Sequence, residues 1–152
     1  MKVKQTIELS ITGIAAKGMA IGRTNEGVVV FVRGAVPGDV ASVFLYKKRK
    51  SYFEGRVEKL LVPSPDRISA KCDHFGTCGG CQWQHLSYTA QLKHKEQVVC
   101  QNFVKIGGFD FPTLNKIVPS KSQYNYRNKI QFCYHHTPLV TTSCGCLISI
   151  VE

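Results

Sequence analysis

Val28-Val29-Val30-Phe31-Val32-Arg33-Gly34-Ala35-Val36-Pro37-Gly38-Asp39 is the stretch on which the fold turns. Its first five residues are β-branched or aromatic, a run that suits an extended, half-buried backbone. Its last four read as a type II turn: proline presets φ at the second position and glycine accepts φ > 0 at the third. Val40 to Tyr46 then forms the next strand. Upstream, Ile7, Leu9 and Ile11 alternate with Glu8, Ser10 and Thr12, the period of a strand with one buried face. Gly13, Gly18 and Gly22 punctuate the chain between these two regions and mark tight turns or close backbone approach. Downstream comes a basic loop, Lys47-Lys48-Arg49-Lys50. The last strand is Tyr52 to Leu61, with Phe53, Val57 and Leu61 on one face beside Gly55. Five short strands with glycine-rich turns in about 55 residues predict a small closed barrel of the oligonucleotide-binding kind.

The barrel ends at Val62-Pro63-Ser64-Pro65-Asp66-Arg67, where two prolines in four residues stop a strand and stiffen a connector. A helix is predicted over Tyr88 to Ile106, with Ser87 as N-cap and Gly107-Gly108 as its stop. Leu92, Val99, Phe103 and Ile106 share its apolar face. Lys93, Lys95 and Lys105 read as ordinary solvated lysines. A further strand is expected over Tyr124 to Phe132. The organisation is therefore a barrel over 1–62, a cysteine motif with a helix over 63–116, and the start of another unit over 117–152. The fold class is mainly β with one α-helical segment.

The chain has 152 residues and a formal charge of +10. That excess favours a polyanionic partner such as nucleic acid, though a solvated basic surface has the same composition. No apolar run approaches the roughly 20 residues that span a bilayer. The opening Met1-Lys2-Val3-Lys4-Gln5 lacks the apolar stretch of a signal peptide. A soluble, cytoplasmic protein is expected. There are seven cysteines, an odd number that does not suit a secreted disulfide framework.

Three of those cysteines, Cys72, Cys78 and Cys81, stand as Cys-x5-Cys-x2-Cys. The short gap wraps two thiolates around one centre, and Gly79-Gly80 lets the backbone turn. Thiolates are soft ligands that zinc and iron–sulfur centres both accept. His74 or His85 would complete a zinc site, and a distant cysteine would complete a [4Fe–4S] site. Spacing alone makes zinc the commoner answer.

The run Cys72-Asp73-His74-Phe75-Gly76-Thr77-Cys78-Gly79-Gly80-Cys81-Gln82-Trp83-Gln84-His85-Leu86 resembles the iron–sulfur signature of the S-adenosylmethionine-dependent RNA 5-methyluridine methyltransferases. Ser64-Pro65-Asp66-Arg67 before it, and Tyr88…Gln91-Leu92-Lys93…Lys95 after it, fit the same pattern. Gly13…Gly18…Gly22 and Phe31 to Asp39 resemble the TRAM domain that opens many of these enzymes. Tyr126-Arg127-Asn128-Lys129 resembles the start of their central domain. The resemblance implies that Cys72, Cys78 and Cys81 are three ligands of a [4Fe–4S] cluster, with the fourth in the central domain. It implies an RNA-binding barrel and, in the whole enzymes, a catalytic cysteine that adds to C6 of a uracil of ribosomal or transfer RNA. C5 then takes a methyl group from S-adenosylmethionine, and the base must leave its stack to reach such a site.

No Gly-x-Gly-x-Gly turn and no Asp-Pro-Pro-Arg type of motif occurs in the chain. No residue is therefore expected to be catalytic or to bind S-adenosylmethionine, and Cys133, Cys144 and Cys146 gain no catalytic role. From Cys133 onward the family pattern is lost, as in a truncated or frame-shifted reading of a longer gene. Such a tail is expected to expose unpaired strand edges. The expected RNA patch is Phe31, Arg33 and the loop Lys47, Lys48, Arg49 and Lys50. Phe31 is either a stacking surface or a core residue. The alternative function is a stand-alone TRAM-type RNA-binding module with a zinc or iron–sulfur knuckle.

Overall fold

A computed structural model describes residues 3–15, 18–77, 80–109, 114–126, 132–137 and 140–146, the last two stretches by their backbone only. Five strands form a closed barrel: β1 (Gln5–Ile14), β2 (Ala20–Arg23), β3 (Val29–Arg33), β4 (Val40–Lys48) and β5 (Tyr52–Val62). Their order around the barrel is β1-β2-β3-β5-β4, and β4 closes it against β1. Neighbours are antiparallel except β3 and β5, which run parallel. Full closure leaves no free sheet edge, which is how so short a chain builds a stable β unit.

Alternation sets the core. Leu9 and Ile11 of β1, Val30 and Val32 of β3, Ala41, Val43 and Leu45 of β4, and Phe53 of β5 all point inward and are buried. The expected turn is present, with Asp39 N–H donating to the Val36 carbonyl at 3.1 Å and Gly38 at φ +90°. Only glycine takes that φ without strain. Strand β5 departs from simple alternation. The ladder pairs Val43 with Val57, Ser42 with Lys59 and Ala41 with Leu60, passing over Glu58. This bulge resets the inward face. Leu60 packs on the core, and Leu61, expected inside, is 41% exposed.

The helix α1 spans Tyr88–Asn102 and continues as a π-helical turn, Phe103–Gly107. The Ser87 hydroxyl caps it by accepting from Ala90 N–H at 3.3 Å, and Gly108 at φ +70° ends it. The expected apolar face does not become a core. Val99 is 44% and Ile106 81% exposed, and Ala90 is the buried residue of α1. The reason is the docking: the buried apolar contact of α1 is at its first turn, where Ala90 joins Val36 and Leu86 in a second small cluster against Ile14 and Trp83.

Residues 114–126 are irregular but tied to α1. Ile117 N–H donates to Glu96 at 2.6 Å, and Ser120 N–H to the Tyr88 hydroxyl at 2.7 Å. The strand expected from Tyr124 does not start there. Asn125 has φ 56°, and the Ser120 and Ser122 hydroxyls donate to the carbonyls of Ser122 and Tyr124. Such local bonds compete with a sheet ladder. Residues 127–131, the rest of that expected strand, lie outside the described residues. Two strands follow, β6 (Phe132–Thr137) and β7 (Val140–Cys146), paired as a two-stranded sheet. No described helix is long and apolar enough to cross a membrane.

Candidate nucleic-acid interface and cysteine loop

The outward positions of the barrel carry aromatics and arginines. Phe31 lies between inward Val30 and Val32 and so points out of the core, half-buried. Its ring meets Tyr52 edge-on, with centroids 4.9 Å apart and planes at 83°. The parallel register sets Phe31 beside Glu54 and Arg33 beside Arg56. On the far side of β5, the Arg56 guanidinium sits over the Phe44 ring at 5.5 Å. The Tyr46 hydroxyl is buried beside Arg33, Glu54 and Arg56; burial raises its pKa, and the two guanidiniums only partly oppose this. Phe31, Phe44, Tyr46 and Tyr52 thus interleave with Arg33 and Arg56 across three strands.

The basic segment is more ordered than a loop. Lys47 and Lys48 belong to β4, paired with Glu54 and Phe53, and only Arg49 to Ser51 make the connection to β5. Residues 47 and 48 extend the ladder because β5 begins at Tyr52, and Arg49 N–H closes the hairpin on the Tyr52 carbonyl at 2.8 Å. Lys47, Glu54 and Phe31 therefore stand side by side on β4, β5 and β3, which brings the basic end and the aromatic face together. Arg49 is partly committed to Glu54 at 3.1 Å. Lys48 lies 5.8 Å from the Phe53 ring centroid. Lys47 and Lys50 are exposed.

The cysteine loop is closed at its base by its own backbone. Arg67 and Leu86 form an antiparallel bridge, and Ile68 N–H donates to the His85 carbonyl at 3.0 Å. Further out, Cys72 N–H donates to the Gln84 side-chain carbonyl at 3.1 Å. Cys72 and Cys81 are exposed free thiols, and Cys78 lies outside the described residues. Among the described residues no three metal-binding side chains gather. Two accessible thiols on a closed loop are a donor set that fits a soft metal or an iron–sulfur centre. His74 is exposed. His85 is buried and turned to the barrel, its Nε2–H donating to the Ala35 carbonyl at 3.4 Å, with the Phe75 ring tilted against it at 4.9 Å. Burial, and then the Arg67 charge, push the His85 pKa below its ordinary value.

One residue that motif reading passed over holds barrel and loop together. Asp39, 1% exposed, closes the type II turn and accepts four hydrogen bonds. Val36 N–H donates at 2.7 Å and Ser64 N–H at 2.9 Å. Arg67 donates through Nε at 3.1 Å and Nη2 at 2.6 Å, a two-pronged pair. Burial alone would raise the Asp39 pKa, but these bonds and the Arg67 charge outweigh it and hold the pKa below 3.8. Arg67 also donates to the Gly34 carbonyl at 2.9 Å. Nearby, the Trp83 indole donates to the Gly18 carbonyl at 3.1 Å. A Cβ at Gly18 would stand 2.5 Å from Trp83 Nε1, so a side chain there cannot be accommodated without movement. The proline-rich connector is thus folded back onto the barrel.

A barrel of this strand order, with an aromatic and cationic outer face, has the architecture of oligonucleotide-binding folds. Residues 1–57 match the TRAM domain. It is homologous to RNA methyltransferases over most of its length. An uncharacterized RNA methyltransferase of Chlorobaculum tepidum is 42% identical over 127 residues, which is 83% of this chain and 26% of the relative. Relatives so described from Porphyromonas gingivalis and Clostridium tetani are 39% and 37% identical, over 83% and 86% of this chain and 27% and 28% of theirs. The chain spans about a quarter of the length of these relatives.

Proposed function

We propose that this chain is the RNA-gripping part of an S-adenosylmethionine-dependent RNA uracil-C5 methyltransferase acting on ribosomal or transfer RNA. The observation that carries the reading is the interleaving of Phe31, Phe44, Tyr46 and Tyr52 with Arg33 and Arg56 on one barrel face. A base that has left its helix stacks on an aromatic face, worth about 1–3 kcal/mol per base. Guanidiniums beside the rings neutralise the phosphates. The lysines at the β4–β5 end extend the cationic track. Description of the relatives as RNA methyltransferases supports the same partner.

In this reading Cys72, Cys78 and Cys81 hold three corners of a [4Fe–4S] cluster, which ties the loop together. The fourth ligand is a residue other than His85, whose Nε2 serves the barrel contact. No catalytic step is assigned to a described residue.

The test is fluorescence anisotropy with single-stranded uridine-rich RNA over a salt series. Each phosphate contact contributes about 0.7 to the slope of log affinity against log salt. Arg33→Gln with Arg56→Gln should lower the slope by about 1.4, and neutralising Lys47 to Lys50 should lower it further. Unchanged slope and affinity in both variants would remove the barrel face from consideration. Anaerobic purification with metal analysis tests the cluster: iron, sulfide and a brown colour are expected, and zinc alone contradicts it.

A further inference from the structure

Helix α1 turns a polar stripe, not an apolar one, towards the barrel. Beyond Ala90 the residues on that side are His94, Gln97, Val98 and Gln101, which face the ends of β1 and β2 across a cavity of about 200 Å³. A helix that packs on a sheet ordinarily presents apolar residues at this spacing. Here the stripe leaves an open groove whose polar lining is Thr12, Arg23, His94, Gln97 and Gln101, with Gly13 among its walls. The lining contains no carboxylate.

Few of these groups are spent on one another. The Thr12 hydroxyl donates to the Ile21 carbonyl at 3.3 Å, and Arg23 uses one Nη1–H on the Gly27 carbonyl at 3.3 Å. His94 Nδ1–H donates to Gln97 Oε1 at 3.1 Å, a bond that uses the Gln97 carbonyl and not its amide N–H groups. The Gln101 amide makes no hydrogen bond among the described residues. The groove thus offers one guanidinium and two side-chain amides to an acceptor-rich ligand. It is also continuous with the aromatic face, because Ile21 lines it and pairs directly with Phe31 on β3.

We propose that this groove is a second RNA subsite, which takes one phosphodiester and its nucleoside as the strand leaves the barrel face and crosses α1. Arg23 meets the phosphate, and the Gln97 and Gln101 amides with His94 meet the sugar or base edge. The proposal rests on the barrel's being an RNA-binding face. It extends the footprint from the barrel to the helix, so the two units read one strand jointly.

Gly13 supplies a test that does not depend on charge. Its φ lies outside the left-handed range, and a Cβ built there meets nothing within 4 Å. Gly13→Leu should therefore fold normally while narrowing the groove. Anisotropy is measured on the full chain with oligouridines of increasing length, with thermal melting as the control for folding. Wild type should gain affinity once an oligomer is long enough to pass from the barrel into the groove. Gly13→Leu and Arg23→Gln should lose that gain and keep wild-type affinity for the shorter oligomers. Arg23→Gln should also lower the salt slope by about 0.7, so a fourfold rise in salt weakens it about 2.6-fold less than wild type. If both variants melt as wild type and bind the longer oligomers as well as it does, the groove is not a subsite. If wild type binds no oligomer at any length, the barrel reading fails and this one with it. Loss of affinity at every length in both variants would also overturn the subsite, since the groove would then act through the barrel.

Discussion

Asp39→Ala should be among the most damaging single substitutions in the chain, although Asp39 touches neither a cysteine nor the aromatic face. The change deletes the acceptor of four hydrogen bonds and leaves the Val36 and Ser64 amides buried without partners. Breaking a buried ion pair from one side costs about 3–5 kcal/mol. Arg67 keeps its bond to Gly34 and its side chain is 20% exposed, so water and that carbonyl relieve part of the loss. A net cost of about 3–4 kcal/mol is expected, a large part of the roughly 5–15 kcal/mol that holds a domain together. Trp83 is the one tryptophan of the chain and sits at the contact between barrel and loop. Its fluorescence reports the dock, while far-ultraviolet circular dichroism reports the barrel. In urea, Asp39→Ala should lose the Trp83 signal at lower concentration than the β signal, where wild type loses both together. Asp39→Asn keeps a side-chain carbonyl for one amide and should fall between the two. Coincident, unshifted transitions in Asp39→Ala would refute the reasoning, because the four bonds would then hold nothing.

Other consequences are as direct. Gly18→Ala places a Cβ against Gln82 and Trp83 at φ +71° and should cost about 1–3 kcal/mol, read as an early loss of Trp83 fluorescence. His85 has a lowered pKa in the fold, so the unfolded chain binds its proton first as pH falls. Its contribution is complete above pH 6.5 and should shrink as pH falls below 6.5 towards the depressed value, and melting of His85→Asn should lack that slope. Asp39 acts at lower pH: its contribution stands above 3.8 and is lost as pH falls through its depressed pKa, which melting curves of wild type and Asp39→Asn would separate.

Much of the barrel was legible because local chemistry dictates it. The Val36–Asp39 turn needs proline and glycine in that order, and the alternation in β1 needs one wet and one dry face. What was not legible is non-local. Parallel pairing of β3 with β5 is a long-range contact, yet it alone makes Arg56, Phe44, Tyr46 and Tyr52 neighbours of Phe31 and Arg33. Their outward positions follow from alternation only once that pairing is known. The bulge that passes over Glu58 leaves no mark in composition, so simple alternation sets Leu61, and not Leu60, on the face of Phe53 and Val57. The helix starts at its Ser87 cap as the sequence predicts, but the apolar face that Leu92, Val99, Phe103 and Ile106 share does not become a core. The polar stripe His94, Gln97 and Gln101 was visible at helical spacing and was the more informative signal. Asp39 looked like the end of a turn, since nothing nearby in sequence points to Arg67. The cysteine motif was plain in the sequence, and Cys72 and Cys81 are where the loop makes them accessible.

The central claim is that one barrel face, made by β3, β5 and β4, grips single-stranded RNA. Backbone amide chemical shifts followed while uridine-rich RNA is titrated into the chain test it most directly. The account predicts that the largest shifts cluster on Val29–Arg33, Tyr52–Arg56 and Phe44–Lys48. Shifts confined to the cysteine loop and to residues 114–126, with those strands unmoved, would contradict it.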